Sequence, residues 1–272
     1  MIRALGLAAA FAFAPGAGAL AGCNGDADPC ETPQGSYHAV LPEDHGGRKL
    51  PALVFLHGAG GTGKGILRQA DPFLERGYAV IGPNGMEREG RFRTGWYFHP
   101  VWGEKRDELN FVREVIADAE ARFGIDPDQV LLGGFSIGGS TASYLACADP
   151  TLARAYAPVA GGFWRPHPED CAGPVNLLHT HGWRDKTVPL EGRPLRDGFV
   201  YQGDIFVTLQ IWRAENGCDG MRADSFETDG PFWRRKWETC NDGALEFALH
   251  DGAHSIPKGW SSMVMDWFEA LD

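Results

Sequence analysis

Residues 134–138 read Gly-Phe-Ser-Ile-Gly, after the apolar run Val130-Leu131-Leu132-Gly133 and ahead of a helical pattern. A serine at such a strand-to-helix turn projects its hydroxyl above a sheet. Glycines flank it because a Cβ there would strike the neighbouring strand or helix. Ser136 is therefore a candidate nucleophile. A serine hydroxyl needs a base to take its proton, and the base needs an acid to orient it. In the topology that carries this turn, the acid and then the histidine follow at the ends of later strands. Asp185 stands after the strand pattern Val175 to His179, in His181-Gly182-Trp183-Arg184-Asp185. His254 stands after the last strand pattern, in Asp251-Gly252-Ala253-His254. Asp251 is the other acid available, but it is too near His254 in sequence to reach the far side of its ring. A surface serine, a turn acid or a solvated loop histidine would each explain one residue and leave the set unexplained.

Acyl transfer through a serine also needs backbone N–H groups aimed at the developing oxyanion. The N–H of Ile137 is one candidate. The other belongs on His57-Gly58-Ala59-Gly60-Gly61, after an early strand, with Ala59 ahead of Gly60. The same loop imitates a phosphate-binding motif, since Gly58 to Lys64 matches G-x-x-x-x-G-K. Its next residue is Gly65, so the hydroxyl that would hold Mg²⁺ is missing. His179 and His181 could face one side of a strand as a metal pair, but no third ligand follows at suitable spacing. The sequence thus offers neither a metal set nor a complete phosphate loop.

The elements that would position these residues alternate. Strands are expected over Ser36 to Leu41, Pro51 to Leu56, Tyr78 to Ile81, Gln129 to Gly133, Ala155 to Val159, Val175 to His179 and Ala244 to Leu249. Helices are expected over Ile66 to Arg76 (with Gly77 as C-cap), Asp107 to Phe123, Ile137 to Cys147, Asp204 to Asn216 and Ser261 to Leu271. Met86 to Arg106 is aromatic, basic and aperiodic, and reads as a loop. The alternation predicts an α/β fold: a mostly parallel sheet with helices on both faces. Only residues 159 to 175 separate two strands at the point where a cap would enter, too few for a substantial one.

The chain has 272 residues, 43% of them hydrophobic, and a formal charge of −11. That composition excludes disorder, and the charge leaves no basic footprint for nucleic acid. Met1-Ile2-Arg3, the apolar run Ala4 to Ala14 and the small residues ending Ala19-Leu20-Ala21 form a secretory signal over 1–21, with 22–272 as one domain. No later stretch is long and apolar enough to be a transmembrane segment. The protein is expected to be secreted or periplasmic. Leu20-Ala21-Gly22-Cys23 also fits a lipid-anchor box, which would make it a membrane-anchored lipoprotein. The six cysteines, Cys23, Cys30, Cys147, Cys171, Cys218 and Cys240, pair evenly only if Cys23 is not acylated, and six allow about 15 connectivities.

His57-Gly58-Ala59-Gly60-Gly61, Gly134-Phe135-Ser136-Ile137-Gly138-Gly139, His181 to Pro189 and Asp251 to Pro257 occur in this order across nearly the whole mature chain. Together they resemble the esterase family that includes polyhydroxybutyrate depolymerases and feruloyl and acetylxylan esterases. The resemblance implies a secreted α/β-hydrolase acting on carboxylic esters without a cofactor. It carries the nucleophile onto Ser136, the acid onto Asp185 and the base onto His254. Asp251-Gly252-Ala253-His254 departs mildly from the family's glycine run. The family's tryptophan after a Pro-Asn-Gly turn points to Trp96, and with it Trp164, as walls of the substrate site. Proximity and the resemblance together pair Cys23 with Cys30, Cys147 with Cys171 and Cys218 with Cys240. The expected substrate is a hydroxyalkanoate oligomer or, alternatively, a hydroxycinnamoyl or acetylxylan ester. A hydrolase fold used only for binding is the non-enzymatic alternative.

Overall fold

The computed structural model describes residues 19–21, 23, 28–43, 45–88, 93–103 and 105–271. The chain starts with β1 (Ala19–Ala21), β2 (Cys30–Thr32), β3 (Gly35–Leu41) and β4 (Leu50–Leu56). Of the expected signal, residues 1–18 lie outside the described residues. Ala19–Ala21 pairs antiparallel with β3.

The helix expected over Ile66 to Arg76 is instead two short ones, α1 (Gly63–Ile66) and α2 (Asp71–Glu75), separated by a 3₁₀ turn at Leu67–Gln69. Pro72 has no N–H to continue the ladder, so the helix must restart around it. Gly77 does lie just past the end, at φ 87°. Next come β5 (Ala79–Pro83) and a hairpin, β6 (Met86–Glu87) with β7 (Thr94–Gly95), inside the stretch read as loop. Then α3 (Glu108–Phe123) runs from Asp107, whose side chain accepts from Asn110 N–H, to a left-handed Gly124. Its Phe111, Val112, Val115, Ile116 and Ala119 are buried, one stripe of the helix.

The middle of the chain is β8 (Ile125–Phe135), α4 (Ile137–Ala148), β9 (Ala155–Val159), β10 (Trp164–Arg165), β11 (Leu177–Gly182), β12 (Pro194–Leu195), β13 (Val200–Gln202) and α5 (Ile205–Glu215). Last come β14 (Ser225–Asp229), β15 (Phe232–Trp237), β16 (Leu245–His250) and α6 (Trp260–Glu269). The β14–β15 hairpin has no counterpart in the sequence reading. Its alternation is hidden by Arg234, a buried position whose guanidinium pairs with Glu246 of β16.

The main sheet has the order β1-β3-β5-β4-β8-β9-β11-β16-β15-β14, with β2 also on β3. Strands β5, β4, β8, β9, β11 and β16 are parallel, and antiparallel strands close both edges. The apolar core lies on both faces. Residues of α3, α4 and α5 pack on one face, and Phe73 of α2 with Trp260, Met263, Val264 and Phe268 of α6 on the other. This is the α/β-hydrolase arrangement. Among the described residues, Ala160 to Asn176 contributes only β10, so no helical cap stands there.

Candidate active site

Strand β8 ends at Phe135 and α4 begins at Ile137, so Ser136 alone makes the turn. It holds φ 60° and ψ −123°, a strained conformation for a residue with a side chain. The chain can turn this sharply only without side chains around it. A Cβ on Gly134 would overlap the Gly138 carbonyl, and a Cβ on Gly138 would overlap the Leu56 carbonyl of β4. The Ser136 N–H donates to the Val159 carbonyl at 2.9 Å, which ties the turn to β9.

The ends of β11 and β16 bring the other two groups to it. Their loops are clasped: Trp183 N–H donates to the His250 carbonyl and Arg184 N–H to that of Gly252. Gly182 is needed at this crossing, because a Cβ there would overlap the Ala253 carbonyl. His254 Nε2 then lies 2.9 Å from Ser136 Oγ, and His254 Nδ1 lies 2.7 Å from Asp185 Oδ2. The ring of His254 rests on Phe135, centroids 4.7 Å apart. Asp185 Oδ1 accepts from the N–H groups of Thr187 and Val188 at 2.8 and 2.9 Å. Burial pushes the Asp185 carboxyl up. The His254 contact and the two backbone N–H groups outweigh it and hold it below the usual carboxylate range. Asp251 stays at the surface, paired with Arg184.

His181 and His179 lie beneath this acid. His181 Nε2 is 2.8 Å from the Val188 carbonyl, so it carries the proton. His179 Nε2 must then donate to His181 Nδ1, 3.1 Å away. Burial keeps both neutral and lowers His181 to about 4. The described residues contain no group of side chains able to hold a metal ion.

The loop after β4 is fixed by His57. The Gly85 N–H donates to His57 Nε2 at 2.9 Å, so the ring proton sits on Nδ1, which donates to the Gly58 carbonyl at 2.8 Å. Gly61 N–H donates to the same carbonyl at 3.0 Å. A peptide unit is planar and trans, so turning the Gly58 carbonyl inward turns the Ala59 N–H outward. Gly58 sits against Ser136, since a Cβ on it would be 3.4 Å from Ser136 Cβ. Among the described residues, neither Ala59 N–H nor Ile137 N–H has a partner, whereas Gly60 N–H is taken by the Thr94 carbonyl. Two free donors thus flank the serine, and one opens α4, where the helix dipole adds to it. Gly63 N–H is taken by Asn84 and Gly65 N–H by Thr62, which leaves no phosphate cradle on this loop.

Trp96 is 0% exposed, and its indole N–H donates to the His57 carbonyl at 2.8 Å. It supports the loop from below and presents no face to a substrate. Trp164 is also buried and packs edge-on against Phe98 and Trp102. The anchoring role of His57 was not read from the sequence, although it precedes the glycine run. The three expected disulfides are formed, Cys23–Cys30, Cys147–Cys171 and Cys218–Cys240. A cleft of about 460 Å³, lined by Phe55, Phe73, Ile256 and Trp260 among others, lies on the α6 face and includes none of Ser136, Asp185 and His254.

A family model for phospholipases and carboxylesterases matches residues 43–199, a span that holds Ser136 and Asp185. A probable feruloyl esterase C of Aspergillus terreus is 26% identical over 231 residues, covering 80% of this chain and 75% of that one. Acyl-protein thioesterase 1 of Saccharomyces cerevisiae is 25% identical over 163 residues, covering 51% and 71%. Among solved structures, an acetyl xylan esterase from Aspergillus awamori superposes with a TM-score of 0.62 at 15% identity, over 86% of this chain and 93% of that one. At that identity the likeness is one of fold.

Proposed function

The chain belongs to the phospholipase/carboxylesterase family and is a carboxylic-ester hydrolase, and we propose that it works through an acyl-enzyme on Ser136. His254 takes the Ser136 proton as Oγ attacks the ester carbonyl, then returns it to the departing alcohol. The same imidazole activates the water that releases the acid. Asp185 keeps the ring proton on Nδ1 and stabilises the imidazolium. Ala59 and Ile137 N–H receive the oxyanion. The observation that carries this reading is the unbroken relay from Ser136 Oγ through His254 to Asp185, beside two unpartnered N–H groups.

The proposed substrates are hydroxycinnamoyl esters, a reading supported by the feruloyl esterase relative that aligns over most of both chains. The hydroxyalkanoate reading rests on motif order alone. The proposed mature protein is a single domain over 22–272, secreted or periplasmic after loss of 1–21, and three disulfides support an oxidising compartment. The Cys23–Cys30 bridge uses the thiol that a lipid anchor would need, which favours the unanchored form.

Hydrolysis of methyl ferulate and of 3-hydroxybutyrate oligomers at equal enzyme concentration tests the substrate class. The higher kcat/KM is expected on methyl ferulate, and the reverse order would transfer the assignment to hydroxyalkanoates. Full activity of Ser136→Ala on either ester would overturn the mechanism.

A further inference from the structure

The β6–β7 hairpin carries Arg88 to the edge of the candidate site. A Cβ on Gly95 would lie 2.9 Å from Arg88 Nε and 3.0 Å from Ile137 Cδ1, so the guanidinium and the residue after the nucleophile border the same point of backbone. The guanidinium carbon stands 4.7 Å from the Tyr97 ring centroid and 5.1 Å from that of Trp102. Arg196 reaches the Trp102 ring as well, at 4.4 Å, from a backbone held at φ 48°.

Three donors here lack an acceptor, and the guanidinium otherwise meets the Tyr97 side chain. Arg88 Nε, Arg88 Nη2 and Trp102 Nε1 are all buried and unpartnered among the described residues. Buried N–H groups in a native protein are nearly always paired, so three together call for a complement. The nearby acid cannot supply it. Glu108 gives Oε1 to the Tyr97 N–H and Oε2 to Arg106 Nε and Nη2. Arg88, Arg196 and Lys105 lie against the Tyr97 and Trp102 rings, and Glu108 is held by Arg106. Desolvation strains the arrangement further by disfavouring the Arg88 cation, and Tyr97 and Glu108 offset only part of it.

We propose that Arg88 and Trp102 form a subsite for a carboxylate carried by the ester substrate, beside the scissile bond. A guanidinium edge and an indole N–H match the oxygens of one carboxylate, and the aromatic walls exclude the water that would compete for it. The subsite would make the enzyme prefer esters bearing a second, ionised carboxyl group over neutral esters of the same shape. The inference rests on the ester-hydrolase reading above.

Two substrate pairs test it. Mono-p-nitrophenyl glutarate against p-nitrophenyl pentanoate places the carboxylate on the acyl side. The pair 4-acetoxybenzoate and phenyl acetate places it on the alcohol side. In the wild-type protein, one pair is expected to show a kcat/KM ratio of about tenfold in favour of the carboxylate. Arg88→Gln should abolish that ratio, and Arg88→Lys should keep part of it, since charge remains and the planar fork is lost. Should Arg88→Gln not fold, Trp102→Phe keeps the ring, removes the N–H and should lower the same ratio. Ratios near one in both pairs while the neutral esters are hydrolysed would overturn the subsite, as would a ratio that survives Arg88→Gln or, in its place, Trp102→Phe. No turnover of any of the four esters would overturn the ester-hydrolase reading itself.

Discussion

The N–H of Gly85 donates to Nε2 of His57 at 2.9 Å, and this contact decides which ring nitrogen faces the Gly58 carbonyl as a donor. With Nε2 occupied as an acceptor, Nδ1 carries the proton and holds the Gly58 carbonyl. Burial, with Arg106 adding to it, lowers the His57 pKa and favours the neutral ring this arrangement needs. His57→Ala should free the Gly58–Ala59 peptide to rotate. The expected result is a fall in kcat of about 10²-fold with little change in KM, read on p-nitrophenyl acetate alongside the melting temperature. A folded variant with unchanged kcat would detach His57 from the oxyanion donor.

Gly138 gives a sharper steric case. Gly138→Ala would drive a methyl group into the Leu56 carbonyl, which is backbone of a central strand and cannot step aside. A loss of about 3 kcal/mol or more is expected by urea unfolding, at the upper end of single-substitution effects. A loss under about 1 kcal/mol would show that the turn has room the geometry denies.

The Cys147–Cys171 bridge joins the last turn of α4 to the segment leading into β11, so it ties the helix after Ser136 to the strand before Asp185. Ala172 N–H donates to the Cys147 carbonyl beside it. Replacing both cysteines with alanine should lower the unfolding free energy by about 3 kcal/mol, given the sequence separation of 24. The check is urea denaturation of oxidised protein, and equal midpoints for the two forms would contradict it.

Acid sensitivity follows from buried neutral histidines. Burial lowers His57, His179 and His181, the last to about 4. In the unfolded chain each titrates near about 6.5. Below that value the unfolded chain takes up protons that the folded chain refuses, so stability is full above about 6.5 and falls as the pH drops toward 4. Glu108 and Glu246 oppose this, because burial raises both and the folded chain protonates them first. Asp185, held low, adds its own loss only below about 3.9. The melting temperature should therefore fall between about pH 7 and pH 5, less steeply in His179→Phe. A melting temperature that is flat or rises over that range would contradict the assignment.

The relay was legible because each member follows a strand that the hydrophobic pattern exposes. Ser136 follows Val130 to Gly133, and His254 follows Ala244 to Leu249. Pro72 was equally visible, and the helix break it causes could have been read from it. The β14–β15 hairpin was not legible, because the buried position that completes its alternation is Arg234, made tolerable by Glu246 and Glu227 from the strands on either side. Arg88 and Trp102 were hidden for a related reason. Their stretch has no period, and only folding brings Arg88 near Ile137 and against the Trp102 ring. Trp96 was legible as a residue but not as a role, since its partner is a backbone carbonyl.

Covalent capture tests the central claim most directly. Wild-type protein treated with a fluorophosphonate should gain the mass of one phosphonyl group, on the tryptic peptide that contains Ser136, and Ser136→Ala should gain none. An unlabelled wild-type protein that still hydrolyses esters, or a label on any other residue, would contradict the account.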